Sequence, residues 1–430
     1  MEFREDFLQL VWKYQYFDKR GLKTIHGEPI EIIRVGFHNL AEGPDFSDAC
    51  VKIAGIELHG HVEIHCLASD WKQHSHTSDP AYNSVILHVV WENDREALRN
   101  DGTAMPTLEL KGKIFLDVWK KYQQMLDFKQ SLPCAYGVGG VPEIVRFSTL
   151  EKALVERLQE KSNMILDILR STESDWEETA YRWLFTCFGF KTNAAAMSEL
   201  AERVPYKILK KHRTQLPALE AMLFGQAGLL PEKTEEPYVL HLKKENDFFQ
   251  QKYRWRNTMN RQDWQFTRVR PSNFPTLRIA QLAAILSHAP GLVQSIFEDS
   301  RDFASFRKVL QVPPSDYWKY QYSFGKKSGK TISKGISNTV LQLLIINYVM
   351  PLWFAYGRYF EQPDWQERCF DLLQSLPAES NFIIRLFKDA GWEATNSFDS
   401  QGMIGLYKNY CAPKKCLQCK VAQSLIKADS

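Results

Sequence analysis

The chain has 430 residues, of which 44% are hydrophobic and 24% charged, and its net charge at neutral pH is +3. One hydrophobic core usually serves at most roughly 250 to 300 residues, so we expect at least two domains. An aromatic content of 13% excludes extensive disorder, and the small net charge excludes nucleic-acid binding through overall charge alone. Contacts with phosphates must therefore come from local clusters.

Two features predict a cytoplasmic protein that does not contact a membrane. The N-terminus lacks an apolar leader segment, and the eight cysteines are spread without the spacing of a disulfide-rich domain. The most apolar stretch, 340–356, is interrupted by polar residues and Pro351, and is shorter than the ~20 residues that cross a bilayer. We predict a buried core helix there.

The first part of the chain has the pattern of an α/β unit. Apolar residues at helical spacing predict an amphipathic helix over 3–17. Alternating or β-branched segments predict strands, which lie at 31–35, 49–53, 56–66 and 85–91. The sequence therefore predicts a mixed α/β domain over residues 1–130.

The remainder of the chain is mainly helical by pattern. Ser148-Thr149-Leu150-Glu151 fits a capping box and predicts the start of a helix. Further helices are predicted at 175–187, 194–203, 217–224, 277–287, 337–360 and 364–375. Together these patterns predict an α+β fold with a mainly helical region over 131–430.

Histidines cluster near the N-terminus, where eight of the eleven lie within the first 88 residues. Side chains alternate across a strand, so one face of the strand at 56–66 carries Glu57, His59, His61, Glu63 and His65. An ordinary solvated face would explain polar residues there. However, these residue types all bind metals or transfer protons. Further candidates in the same segment are Asp45, Asp70, His74, His76, Asp79 and His88.

Two metal chemistries fit these residues, and ligand hardness separates them. Carboxylates from Asp45 and Glu63 suit Mg²⁺ or Mn²⁺. Imidazoles suit Zn²⁺ or Fe²⁺, and the candidates are His61, His65, His74 and His76. The His74-x-His76 pair also fits a hydrogen-bonded turn capped by Asp79. The sequence leaves these alternatives open.

The order of Glu5 on a helix, Gly43-Pro44-Asp45, a hairpin and Glu63-Ile64-His65 resembles the PD-(D/E)xK nuclease superfamily. The resemblance implies that Glu5, Asp45 and Glu63 hold Mg²⁺ or Mn²⁺ against a phosphate of DNA or RNA. His65 stands where that superfamily has its catalytic lysine. A histidine is not a permanent cation at neutral pH, so Lys52 on the preceding strand is a candidate replacement.

A wider resemblance covers nearly the whole chain. The segments GPDFSDA, GHVEIH, SDWKQHSH, DPAYNSVILHVV, FGFKTN and RVRPSNFPTLRIAQLA are similar to the uncharacterised bacterial family called domain of unknown function 2851. This resemblance implies no mechanism, so the chemistry rests on the residues.

Three cysteines near the C-terminus, Cys411, Cys416 and Cys419, have spacing that suits chelation of one metal centre. Cys134 is the preferred fourth ligand. Zinc and an iron–sulfur cluster both accept four thiolates. The alternative is that these are unconnected thiols.

Two basic segments are candidates for nucleic-acid contact. Arg268, Arg270 and Arg278 surround a proline-rich turn with Phe274, a composition that contacts phosphates and stacks bases, although such arginines also brace packed loops. Lys326, Lys327 and Lys330 either bind phosphates or form an ordinary solvated loop.

Three functions follow from these observations. The leading hypothesis is a metal-dependent nuclease. The second is a non-catalytic module with a nuclease-like fold that binds nucleic acid or protein. The third is a zinc or iron hydrolase that uses His61, Glu63 and His65 with His74 or His76.

Overall fold

The computed structural model describes residues 3–39, 41–128, 132–289, 291–298, 300–332 and 335–427, and the predicted domain boundary at 130–131 lies outside these ranges. The chain forms two compact units. Unit one comprises residues 1–149, 385–393 and 406–430, and unit two comprises 150–384 and 394–405. The cysteine-containing segment near the C-terminus is therefore part of unit one.

Unit one is built on a six-stranded mixed sheet, which confirms the predicted mixed α/β unit and contains two short strands beyond the four predicted. The strands of the protein are β1 (Ile30–Arg34), β2 (Phe37–His38), β3 (Phe46–Ile53), β4 (Ile56–Leu67), β5 (Val85–Glu92), β6 (Thr107–Glu109), β7 (Gln321–Ser323) and β8 (Lys326–Lys327). The order in the large sheet is β1-β3-β4-β5-β6, with β2 paired to β3. β1, β3 and β4 are antiparallel, whereas β4, β5 and β6 are parallel.

Both units contain helices, and most of the helices lie in unit two. In chain order they are α1 (Glu5–Tyr14), α2 (Asp70–Gln73), α3 (Leu116–Asp127), α4 (Glu143–Ser171), α5 (Trp176–Phe188), α6 (Ala194–Arg203), α7 (Tyr206–His212), α8 (Leu216–Gln226), α9 (Pro237–Tyr253), α10 (Pro275–His288), α11 (Phe303–Leu310), α12 (Asn338–Leu344), α13 (Met350–Tyr359), α14 (Asp364–Ser375), α15 (Phe382–Asp389), α16 (Ser397–Leu406) and α17 (Lys420–Ile426). The predicted α+β class is confirmed.

The path of the chain around β4 decides what lies near this strand. β3 and β4 form a hairpin through Ala54 and Gly55, whose φ angles of 48° and 88° are both positive, as a type I′ turn requires. Parallel strands need a crossover, so the chain must return along the sheet between β4 and β5. The connection at 68–84 makes this return and carries His74 and His76 past β4.

Helix α1 packs its apolar side into unit one. Phe7 is fully buried, and its ring stacks on Tyr122 of α3 at a centroid distance of 5.2 Å. The helix ends at Tyr14 and is followed by Gln15, whose φ of 54° is left-handed. Glu5 and Gln9 lie one turn apart on α1, so both reach the same region of the sheet.

The predicted start of the first long helix is wrong. α4 begins at Glu143, so Ser148 and Thr149 lie inside it and not at its cap. Their hydroxyl groups donate to the carbonyl oxygen of Val145, at 3.2 and 2.7 Å. Serine and threonine satisfy hydroxyl groups in this way within helices, and a proline, here Pro142, favours a start upstream.

The run Asn338–Tyr359 is long and apolar enough to cross a membrane, and 72% of its most apolar window is buried. A core helix of a soluble protein meets the same criterion. Within unit two this run contributes fully buried residues such as Leu341, Tyr348 and Leu352 to the hydrophobic core.

Candidate metal centre

Asp45, which immediately precedes β3, lies beside Glu63 of the neighbouring strand β4. The backbone N–H of Asp45 donates to Glu63 Oε2 at 3.0 Å, and the N–H of Ile64 donates to Asp45 Oδ2 at 3.0 Å. Gln9 Nε2 on α1 donates to Asp45 Oδ1 at 2.8 Å. These three hydrogen bonds fix the positions of the two carboxyl groups. The sequence predicted that these groups bind the same metal ion.

Burial makes both carboxyl groups poor acids. Burial first, and then the nearby Glu5, raise the pKa of Asp45 to about 7. Burial first, and then Asp45, raise the pKa of Glu63 to about 9. Two carboxylates in one low-dielectric site repel each other and attract a cation or protons.

His65 and His76 direct nitrogen atoms at Glu63. The Nε2 atoms of His65 and His76 lie 3.6 and 3.5 Å from Glu63 Oε1. Both imidazoles are buried, and among the described residues neither Nε2 atom has a hydrogen-bond partner. Glu5 Oε1 lies 3.8 Å from the same nitrogen of His65. A buried nitrogen without a hydrogen-bond partner is costly, so these two atoms are candidates for binding a metal ion or a water molecule.

Burial favours the neutral form of His65 and His76. Burial, and then the neighbouring His88, lower the pKa of His65 to about 2. Burial, and then His74, lower the pKa of His76 to about 4. A neutral imidazole offers a lone pair to a metal, whereas a protonated one does not. His65 therefore does not supply the positive charge of the missing lysine.

The crossover supplies the remaining imidazoles. The ligand atoms of His65, His74 and His76 all lie within 4.8 Å of one another. The ring of His76 stacks on Tyr82 at 3.7 Å, which fixes its orientation. His74 is exposed, so the group has an open side.

Other predicted residues lie outside this group. The ring of His61 accepts from the N–H of Asp48 at 3.4 Å, and His59 Nε2 lies 3.0 Å from Glu57 Oε1, close to Cys50. Lys52 is exposed. Asp70 and Asp79 accept backbone N–H groups of nearby turns, from Leu67 and Ala81 respectively.

Sequence reasoning missed several residues around the centre. Gln9 holds Asp45, and its position four residues after Glu5 on one helix face would have indicated it. A cavity of about 390 Å³ adjoins the centre through His76. It is lined by Trp71, His76, Thr77, Tyr82, Asn83, Arg99, Asn100, Asp101 and Met105. Arg99 adds a positively charged side chain to this cavity, and no sequence motif identifies this residue.

The residues predicted to contact nucleic acid lie in unit two, and they differ in how far their side chains are exposed. Arg268, Arg270 and the three lysines Lys326, Lys327 and Lys330 are exposed. Arg278 is only 3% exposed, which corrects its assignment as a surface contact. Its guanidinium bonds to Asn273 and Gln281 and lies 5.0 Å from the ring of Phe190, so it braces the loop.

The four predicted cysteine ligands are all in unit one and all buried. Cys134, Cys411, Cys416 and Cys419 have 6 to 8% of their surface exposed. Burial first, then Cys419 and Cys416, raise the pKa of the Cys134 thiol to about 12, so these sulfur atoms are neighbours.

The fold and the centre define an α+β protein whose mixed sheet carries a buried group of carboxylates and histidines. The chain belongs to the family described as protein of unknown function (DUF2851), whose sequence model matches residues 5–382. That match includes the whole carboxylate and histidine group and ends before Cys411. We found no match among curated proteins or among solved structures.

Proposed function

We propose that this protein is a metal-dependent hydrolase that cleaves phosphodiester bonds of DNA or RNA. The observation that carries the proposal is the arrangement of Glu63 Oε1 with the Nε2 atoms of His65 and His76, at 3.6 and 3.5 Å. Two ligand atoms on one ion stand about 3.0 to 3.4 Å apart when each metal–ligand bond is about 2.1 Å. The observed separations are a few tenths of an ångström from that range.

The donor types favour a transition metal over Mg²⁺. Mg²⁺ prefers oxygen ligands, whereas His65, His74 and His76 offer nitrogen within 4.8 Å of one another. Mn²⁺, Fe²⁺ and Zn²⁺ accept mixed nitrogen and oxygen ligands. Glu63, His65 and His76 would form the inner part of the site, and Asp45 adds a second carboxylate.

When bound, such an ion polarises a phosphate and activates water as a nucleophile. In this proposal Glu5, with 40% of its side chain exposed, would take a proton from the attacking water at the open side. The His65 Nδ1 atom lies 2.9 Å from His88 Nε2, which holds the imidazole in one orientation.

The cavity beside His76 is the proposed binding pocket for the substrate. Arg99 provides a guanidinium for a phosphate group, in the role that the superfamily gives to lysine. Trp71 and Tyr82 line the same cavity with aromatic surface, which suits a base or sugar. The order of Glu5 on α1, Asp45 immediately before β3 and Glu63 on β4 supports the nuclease resemblance.

The test uses purified full-length protein with linear, nicked and single-stranded DNA and RNA in the presence of Mn²⁺, Mg²⁺ or Zn²⁺. We expect cleavage with Mn²⁺ and a loss of at least about 100-fold in Asp45→Asn and Glu63→Gln. Glu57→Gln is the matched control, because Glu57 lies on the same strand but outside the centre. Equal activity in Glu63→Gln and the wild type would exclude the proposed site.

A second candidate is a zinc or iron hydrolase that acts on substrates other than nucleic acids. The three close histidines favour it, because they outnumber those needed for a carboxylate magnesium site. Stoichiometric zinc or iron that is lost in His65→Asn, together with hydrolysis of simple esters and inactivity on every nucleic acid, would select this alternative. Nucleic-acid binding without any hydrolysis would select a non-catalytic module.

A further inference from the structure

Four buried thiols converge in unit one from distant parts of the chain. Cys134 precedes Cys411 by more than half of the sequence, yet both are buried in unit one together with Cys416 and Cys419. Thiolates that share a buried site repel one another, so a bound cation would stabilise the four together.

Cys134, Cys411 and Cys416 each begin a tight turn of the backbone. The N–H of Cys419 donates to the carbonyl of Cys416 at 3.0 Å, which closes the two-residue spacing into one turn. The N–H of Gly137 donates to the carbonyl of Cys134 at 3.1 Å, and the N–H of Lys414 donates to that of Cys411 at 3.1 Å. Structural metal sites commonly contain two cysteines separated by two to four residues, as Cys416 and Cys419 are.

Contacts within unit one hold the two segments together. Gly137 packs so closely on α17 that an added Cβ atom would lie 2.9 Å from Leu425 Cδ2. Lys414 Nζ donates to the carbonyl of Leu126 at 2.8 Å, and Tyr14 Oη donates to Gln423 Oε1 at 2.9 Å. Packing within unit one therefore holds the segment that contains Cys134 against the C-terminal segment that contains the other three cysteines.

The spacing of the sulfur atoms distinguishes the two metal centres that accept four thiolates. On a single zinc ion, four sulfurs stand about 3.8 Å apart, because Zn–S bonds are about 2.3 Å and tetrahedral. In the part of the chain that the structure describes, no three of these sulfurs lie within 4.8 Å of one another. An iron–sulfur cluster spreads four cysteine ligands over several iron atoms and accepts wider spacing.

We propose that Cys134, Cys411, Cys416 and Cys419 bind one iron–sulfur cluster that ties the C-terminal segment to the sheet domain of unit one. On binding, each thiol loses its proton and its sulfur bonds to iron. The site is separate from the carboxylate and histidine group and does not depend on the function proposed above.

The test is metal and sulfide analysis of full-length protein purified anaerobically. We expect iron and acid-labile sulfide in equal amounts, about two or about four of each per chain, with the visible absorption of a cluster. Cys134→Ser and Cys416→Ser should retain less than about a tenth of the iron. Cys369→Ser is the matched control, because Cys369 is fully buried but lies in unit two, and it should retain the cluster.

Stoichiometric zinc in the wild type, or folded protein without metal, would overturn the proposal. If the cysteine variants fail to fold, the wild-type analysis still decides it. Asp45→Asn and Glu63→Gln should keep the iron and sulfide even if they abolish hydrolysis, so a failure of one proposal is distinguishable from a failure of the other.

Discussion

The Nδ1 atom of His65 lies 2.9 Å from the Nε2 atom of His88, and the two rings stand at 79° to each other. Both residues are buried, on the adjacent parallel strands β4 and β5. If the Nδ1–H of His65 donates to His88, the lone pair of His65 Nε2 faces Glu63. His88 thus orients a ligand of the proposed metal without binding the metal itself.

This relationship predicts that His88→Leu weakens Mn²⁺ or Zn²⁺ binding by about 10- to 100-fold, because the acceptor that fixes His65 is lost. His88→Gln keeps an acceptor oxygen and should retain most of the affinity. The measurement is titration calorimetry on the full-length protein. His59→Leu, on β4 but outside the centre, serves as the control and should bind as the wild type does. Equal weakening in His88→Leu and His88→Gln would contradict the orienting role.

Metal affinity should rise between pH 6 and pH 9. The pKa values of Asp45 and Glu63 are raised to about 7 and about 9 by burial, so the metal must displace protons from these groups at neutral pH. Calorimetry at pH 7 in buffers of different ionisation enthalpy should report proton release on binding. An affinity independent of pH over this range would count against both carboxylates as ligands.

The same shifts predict how the metal-free protein responds to pH. A raised carboxyl pKa means that the folded state favours the neutral acid, so this contribution to stability is complete below the ordinary values of 3.8 and 4.5. It is lost as the pH rises through about 7 and then about 9. Chemical denaturation of the metal-free protein should show this decline, and Asp45→Asn with Glu63→Gln should remove much of it.

Glu220 in unit two allows an independent test of this effect. Its side chain is fully buried, Oε1 accepts from Ser315 Oγ at 2.8 Å, and burial raises its pKa to about 7. Ionisation in the folded state should cost roughly 3 kcal/mol relative to the ordinary value of 4.5. Glu220→Gln should therefore match the wild type near pH 4 and exceed its stability by up to about 3 kcal/mol at pH 9.

Denaturation curves at both pH values measure this difference, and Glu235→Gln at an exposed position is the control. A Glu220→Gln variant that loses stability equally at both pH values would show that the carboxylate is not the source of the penalty.

Substitutions of the arginines in unit two should affect the stability of the protein and its binding of nucleic acid separately. Arg278 is buried against Phe190, so Arg278→Ala should lower the free energy of unfolding by roughly 2 to 3 kcal/mol. Arg268→Ala and Arg270→Ala change exposed side chains and should leave stability within about 0.5 kcal/mol. If this surface contacts nucleic acid, these two variants weaken binding in a salt-dependent assay. Stability losses of equal size in all three variants would contradict the distinction.

The sequence by itself determined the local features of this protein. Alternation along β4 identified Glu63 and His65, Gly43-Pro44-Asp45 identified the second carboxylate, and helical spacing identified most of the long helices, because these signals repeat within a few residues. The capping box at Ser148 failed because a local motif also fits the interior of a helix, where the hydroxyl groups bond backward to Val145.

Only the tertiary structure decided which of these residues meet. The parallel pairing of β4 with β5 forces the crossover that brings His76 to Glu63 and sets His88 against His65, while His61 pairs with the backbone of Asp48 instead. Burial then makes the carboxyl groups retain protons and the imidazoles remain neutral. Strand register and burial arise from packing between residues far apart in the chain, which no local pattern specifies.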